Sequence, residues 1–121
     1  MTRENANKRI IRKKIVLKDI CEAYEDESDF ILFIEPEMSL YYDLMDTLAP
    51  EGKNAKPNMR AFFKLIPELI EDHSYIEPDG TKMKASDVIK LIERDGELSV
   101  PFMNEIKDFL LVVQEKMKKK S

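Results

Sequence analysis

The chain has no tryptophan and only one cysteine, one histidine and three glycines among its 121 residues. Cys21 alone cannot close an internal disulfide, and His73 with Cys21 is too small a donor set for a structural zinc site. The glycines Gly52, Gly80 and Gly96 are dispersed, so no phosphate-cradling loop can be assembled from them. Long apolar runs are also missing. The two longest, 30–34 and 109–113, are five residues each, against the roughly 20 that a membrane-spanning helix needs. No membrane segment is expected. The polar start, Met1 to Arg9, is followed by neither an apolar stretch nor a small-residue cleavage site, so the expected compartment is the cytoplasm.

What is present fits one folded unit. Hydrophobic residues make up 43% and charged residues 36%, too apolar for a disordered chain and too interspersed with charge for a membrane protein. The length suits a single core. We expect a disordered stretch at 1–8, one globular domain over 9–118 and a basic tail at 119–121.

Charge is segregated. The first twenty residues carry seven bases (Arg3, Lys8, Arg9, Arg12, Lys13, Lys14, Lys18) against Glu4 and Asp19, whereas 21–50 carry nine acids and no base. Two readings follow, a nucleic-acid arm or two segments that attract each other within the fold. The second is favoured, because the adjoining carboxylates repel a polyanion within a Debye length and no aromatic residue is interleaved with the bases.

The pattern predicts an α+β fold, predominantly α, with an N-terminal β-hairpin followed by about four helices. Ile15-Val16-Leu17 and Phe30-Ile31-Leu32-Phe33-Ile34 read as strands joined by the acidic turn Glu25-Asp26-Glu27-Ser28. Leu17, Ile20, Cys21 and Tyr24 also match a helical spacing, so strand and helix both stay open for 10–24. Ser39 is the expected cap of a helix with Tyr41, Leu44, Met45 and Leu48 on one stripe, and 50–57 reads as a solvated loop. Asn58 caps the next helix, which Pro67 should kink or restart. Glu77-Pro78-Asp79-Gly80 has type I turn chemistry and predicts a small hairpin near 75–84. Ser86 is the expected cap of a helix that Gly96 ends, and Ser99 that of the last helix, where Pro101 falls in the first turn.

Reactive chemistry is hard to build from these residues. Asp26 and Glu37 sit at the ends of a twelve-residue calcium-loop spacing, but Phe30 and Ile31 stand where a ligand and the turn glycine belong. Glu71-Asp72-His73 reads as a surface helix end rather than a metal site, and Cys21 as a small buried hydrophobe rather than a nucleophile paired with His73. No catalytic residue, cofactor or metal is expected. Six internal methionines read as core filling, with an adaptable binding surface as the alternative. In the last helix Leu111 points about 180° from the core stripe and Val112 lies at its margin. Either that helix is buried on several sides or Leu111 touches another chain.

The passage Pro36-Glu37-Met38-Ser39-Leu40-Tyr41-Tyr42-Asp43-Leu44 resembles the tail assembly chaperones of long-tailed bacteriophages and prophages. So does the turn-and-helix segment Pro78-Asp79-Gly80-Thr81-Lys82-Met83-Lys84-Ala85-Ser86-Asp87-Val88-Ile89 followed by a long amphipathic helix. The resemblance spans roughly 10–117 and is one of layout. It implies a non-enzymatic protein of the bacterial host cytoplasm that covers apolar helical segments of a tape-measure protein during tail assembly. It also implies a longer form made by frameshifting, for which Lys118, Lys119 and Lys120 mark the candidate region, since lysine codons can spell a slippery run. Met103, Leu111 and Val112 are the candidate partner-binding residues. Homo-oligomers remain open. The alternatives are a small nucleic-acid-associated regulator using Arg9, Arg12, Lys13, Lys14 and Lys18, and an oligomeric structural subunit.

Overall fold

The computed structural model describes residues 1–52 and 54–119. Three strands form an antiparallel sheet in the order β1 (Arg12–Val16), β2 (Phe30–Ile34), β3 (Ile70–His73). Around it lie the helices α1 (Arg3–Lys8), α2 (Leu17–Ile20), α3 (Met38–Leu48), α4 (Met59–Leu65), α5 (Ala85–Arg94) and α6 (Gly96–Lys118). The fold is α+β and mostly helical.

Alternation sets the faces of the sheet. Ile15, Ile31 and Phe33 are buried on one face, and the Phe33 ring meets Phe102 and Phe109 of α6 at 5.6 and 5.8 Å between centroids. Strand β2 is therefore pressed onto the long C-terminal helix, whose Leu98, Phe102, Ile106, Phe109, Leu110 and Val113 complete the core. The other face of the sheet is held by charge. Lys14 lies over the Phe30 ring at 4.8 Å, and Arg12 donates to Glu71 at 2.7 Å. A bulge between Leu32 and Phe33 leaves Glu71 without a partner in the β2–β3 register, and Arg12 reaches across β2 to it.

The segment 10–24 is both of the things its pattern allowed. Val16 ends β1, and Leu17–Ile20 make one helical turn before the acidic loop. In that loop the Asp26 carboxylate accepts from the Ser28 amide and hydroxyl. The Pro67 restart is also found: α4 ends at Leu65, and a 3₁₀ turn, Ile66–Leu69, carries Pro67 in its first positions. Ile76 and Lys82 form a bridge around the expected turn, with the Gly80 amide donating to the Glu77 carbonyl and Gly80 at φ 88. That left-handed conformation suits glycine.

Several local expectations are corrected. Residues 3–8 form a helix capped by Thr2, although none of its residues is buried. Glu37, not Ser39, precedes α3, and Lys84, not Ser86, precedes α5. Gly96 does not end α5. It opens α6, because the Asp95 side chain accepts from the Glu97 and Leu98 amides and starts that helix ahead of Ser99. Pro101 accordingly sits inside α6 rather than in its first turn. Glu71-Asp72-His73 is strand β3, not a helix end; pairing with β2 overrides the local helical pattern once the 3₁₀ turn has broken it.

Candidate functional site

Helix α3 buries Tyr41, Leu44 and Thr47 and leaves Met45 and Leu48 half-buried on the flank that faces α6. The spacing of Tyr41, Met45 and Leu48 at i, i+4 and i+7 lays them along one edge. Across from them Leu110 is buried, while Leu111, one residue on, is turned away from the core and 58% exposed. The two helix edges enclose an apolar groove of about 250 Å³, lined by Tyr41, Met45 and Leu48 of α3 and Lys107, Leu110, Leu111 and Gln114 of α6. Burial raises the Tyr41 hydroxyl above its ordinary ionisation range, with Tyr42 beside it adding to the effect. The phenol therefore stays neutral, and Tyr42 meets it edge-on at 5.6 Å.

The three candidate partner-binding residues separate. Leu111 lines the groove. Val112 is 50% exposed but is turned about 100° around the helix from Leu111, toward a flank occupied by ion pairs. There Lys13 meets Glu105 at 2.8 Å and Lys116 meets Glu35 at 2.6 Å. Met103 is corrected: it is 9% exposed and belongs to the core, because it follows Phe102 directly and shares the edge of the stripe with Leu110. Lys118 and Lys119 close α6, and Lys120 lies outside the described residues. The α3 wall of the groove was read from sequence only as core, since Tyr41, Met45 and Leu48 share a stripe with Leu44. The exposed Met38 and Tyr42, which widen that stripe toward solvent, are the signal that marks it as a surface.

Bases of the N-terminal segment take carboxylate partners at the surface. Arg12 is bound by Glu71, Lys13 by Glu105 and Lys18 by Glu27, and the Arg9 carbonyl accepts from Lys116. Glu71 holds the Arg12 guanidinium above its usual range, chiefly through the hydrogen bond.

His73 is a structural residue. Its Nδ1 accepts from the Tyr75 amide at 3.1 Å, which leaves Nε2 to donate to the Met83 carbonyl at 2.8 Å. Both ring nitrogens are thus used to tie β3 to the small hairpin, and neither is directed to Cys21, which is buried. Tyr24 and Tyr75 share a hydrogen bond at 3.0 Å, and burial and that bond raise the Tyr75 hydroxyl far above its ordinary value. A second, wider cleft of about 880 Å³ carries the carboxylates Glu35, Glu37, Asp43 and Glu68. Among the described residues, however, no group of three or more histidines, cysteines or carboxylates is arranged to hold a metal. No described helix is long and apolar enough to cross a membrane. Comparison with protein families, with curated proteins and with solved structures finds no match to this chain.

Proposed function

We propose that this chain is a non-enzymatic protein-binding module that takes up the apolar face of a client helix in the groove between α3 and α6. In keeping with its resemblance to the tail assembly chaperones, the client is a tape-measure protein in a bacterial host cytoplasm. The observation that carries this reading is the exposed Leu111 beside a groove whose other wall is Tyr41, Met45 and Leu48. Methionine and leucine repack around varied apolar partners at little cost, which suits a client presenting many similar helical faces. Weak capture repeated along a long client holds it soluble and still permits release. The ion pairs of Arg12, Lys13 and Lys18 speak against the nucleic-acid alternative.

Co-expression with a long, apolar helical tape-measure protein tests the reading. The client is expected to remain in solution with the native chain and to precipitate with Leu111→Glu, whose own stability should stay within about 0.5 kcal/mol of the native value because the site is at the surface. Client solubility that is indifferent to Leu111→Glu overturns the groove as the capture surface. A neighbourhood lacking both a tail-tube gene and a very long helical gene removes the tail-assembly assignment.

A further inference from the structure

His73 stands in the small hairpin where backbone groups ordinarily meet directly. Ile76 bridges Lys82 in antiparallel register, which sets Tyr75 opposite Met83 as a pair that would exchange two N–H···O bonds. One of the two is made, the Met83 amide donating to the Tyr75 carbonyl at 3.1 Å. The return bond is replaced. The Tyr75 amide donates to His73 Nδ1 at 3.1 Å, and His73 Nε2 donates to the Met83 carbonyl at 2.8 Å. The imidazole is thus spliced into the ladder, accepting from one arm of the hairpin and donating to the other.

This splice needs a neutral ring. A carbonyl can only accept, so Nε2 carries the hydrogen and Nδ1 must be bare to receive the Tyr75 amide. An imidazolium has hydrogen on both nitrogens, so Nδ1 and the Tyr75 amide become two donors facing each other, while the bond to Met83 is kept. At 4% exposure His73 is largely shut off from water that could accept from both. The charged and titratable groups around it do not supply an acceptor either. On β2 the residue opposite is Ile31. Asp72 attracts a positive charge on the ring, but it precedes His73 in the strand, so its side chain leaves by the other face, where Lys82 donates to it. The Tyr75 hydroxyl, bonded to Tyr24, stays neutral, and Asp29 ahead of β2 and Asp95 between α5 and α6 oppose its ionisation further. Among the described residues no carboxylate is hydrogen-bonded to the ring.

We propose that His73 is a proton-operated latch: with a neutral ring both arms of the hairpin 75–84 are fastened to β3, and proton uptake at Nδ1 releases the Tyr75 arm. The released arm carries the exposed Ile76 and Glu77. Glu77 and Met83 form the hairpin side of a cleft of about 660 Å³ whose other side includes Asp87, Leu91 and Arg94 of α5. Release therefore widens that cleft. The latch is separate from the groove between α3 and α6 and holds whether or not the groove captures a client.

Nitrogen NMR of the full chain tests it, with ring and backbone nitrogens followed from roughly pH 8 to pH 5, where an imidazole ordinarily gains its second proton. At the upper end His73 should show a bare Nδ1 and a protonated Nε2. As the ring takes up its proton, the Tyr75 amide resonance should move with the same midpoint. Its protection against hydrogen exchange should fall about tenfold, the loss of one hydrogen bond. The Phe62 amide, which donates to the Asn58 carbonyl at 3.0 Å, should keep its protection. In His73→Gln the side-chain amide can accept from Tyr75 and donate to Met83 without titrating, so the hairpin should persist and the pH response vanish. A hydrogen on Nδ1 at the upper end overturns the latch, as does a ring that titrates without moving Tyr75, or one that stays neutral until the whole chain unfolds. A Tyr75 response that survives in His73→Gln belongs to Asp72 or another carboxylate and overturns it as well. If His73→Gln does not fold, the shared midpoint in the native chain decides.

Discussion

Asp26, Asp72 and Asp79 each keep a carboxylate ionised below its ordinary range through short-range hydrogen bonds. Ser28 serves Asp26 and Thr81 serves Asp79, while Lys82 and then the His73 amide serve Asp72. A depressed carboxylate pKa stabilises the fold fully above the unfolded value, near 3.8 for Asp72, and the contribution is lost as pH falls through the lower folded value. Stability measured from neutral pH downward should therefore decline below about pH 4, and Asp72→Asn should flatten that decline. His73 carries a different load. His73→Phe leaves the Tyr75 amide and the Met83 carbonyl without partners in a part-buried setting, and denaturant titration should show a loss of about 1–3 kcal/mol. The sequence places His73 at a surface helix end, whereas it is buried in β3, and its role depends on backbone groups two and ten residues away, which no spacing rule reports.

At the level of elements, the decisive residue is Asp95. It ends α5, its own backbone is extended at φ −94 and ψ 98, and its side chain caps α6 through two amides. One residue thus separates two helices and satisfies the first donors of the second. Asp95→Ala should cost about 1 kcal/mol in thermal or chemical unfolding, whereas Ser99→Ala should change little because Ser99 lies within α6. Ser99 was the expected cap because serine two residues before proline has the right local chemistry. Asp95 won because the chain must reverse there to pack α5 against α6. Ser39 and Ser86 failed in the same way: each lies a residue or more inside a helix whose true boundary is an extended residue with no side-chain cap. Asn58, by contrast, caps α4 as its sequence position predicts, accepting from the Ala61 amide at 3.1 Å.

In the whole molecule, the contact of β2 with α6 joins the N-terminal sheet to the C-terminal helix. Phe33 is fully buried between Phe102 and Phe109, and the Lys13–Glu105 and Lys116–Glu35 pairs border the same junction. Phe33→Ala should cost about 3–5 kcal/mol, and sheet and helix signals should be lost in one transition if the unit folds cooperatively, as expected for its size. On the opposite flank of α6 Leu111 is turned out of the core. It sits at the margin of the buried Tyr41 and Leu110, with Lys107 and Gln114 beside it.

Although they left 10–24 open between strand and helix, periodicity and turn chemistry alone determined the α+β class, the strand at 30–34, the break at Pro67, the turn at Gly80 and the outward direction of Leu111. All of these follow from interactions within a few residues of chain, which the order of side chains states directly. Only the tertiary structure decided that Glu71-Asp72-His73 is a strand, that Met103 is core, that Val112 faces ion pairs, and that Tyr41, Met45 and Leu48 lie across from Leu111. Those outcomes depend on pairing partners forty or more residues apart and on the angle at which α3 passes α6. Burial is a property of what arrives from elsewhere in the chain, and a helical stripe records its own direction without recording what it will meet.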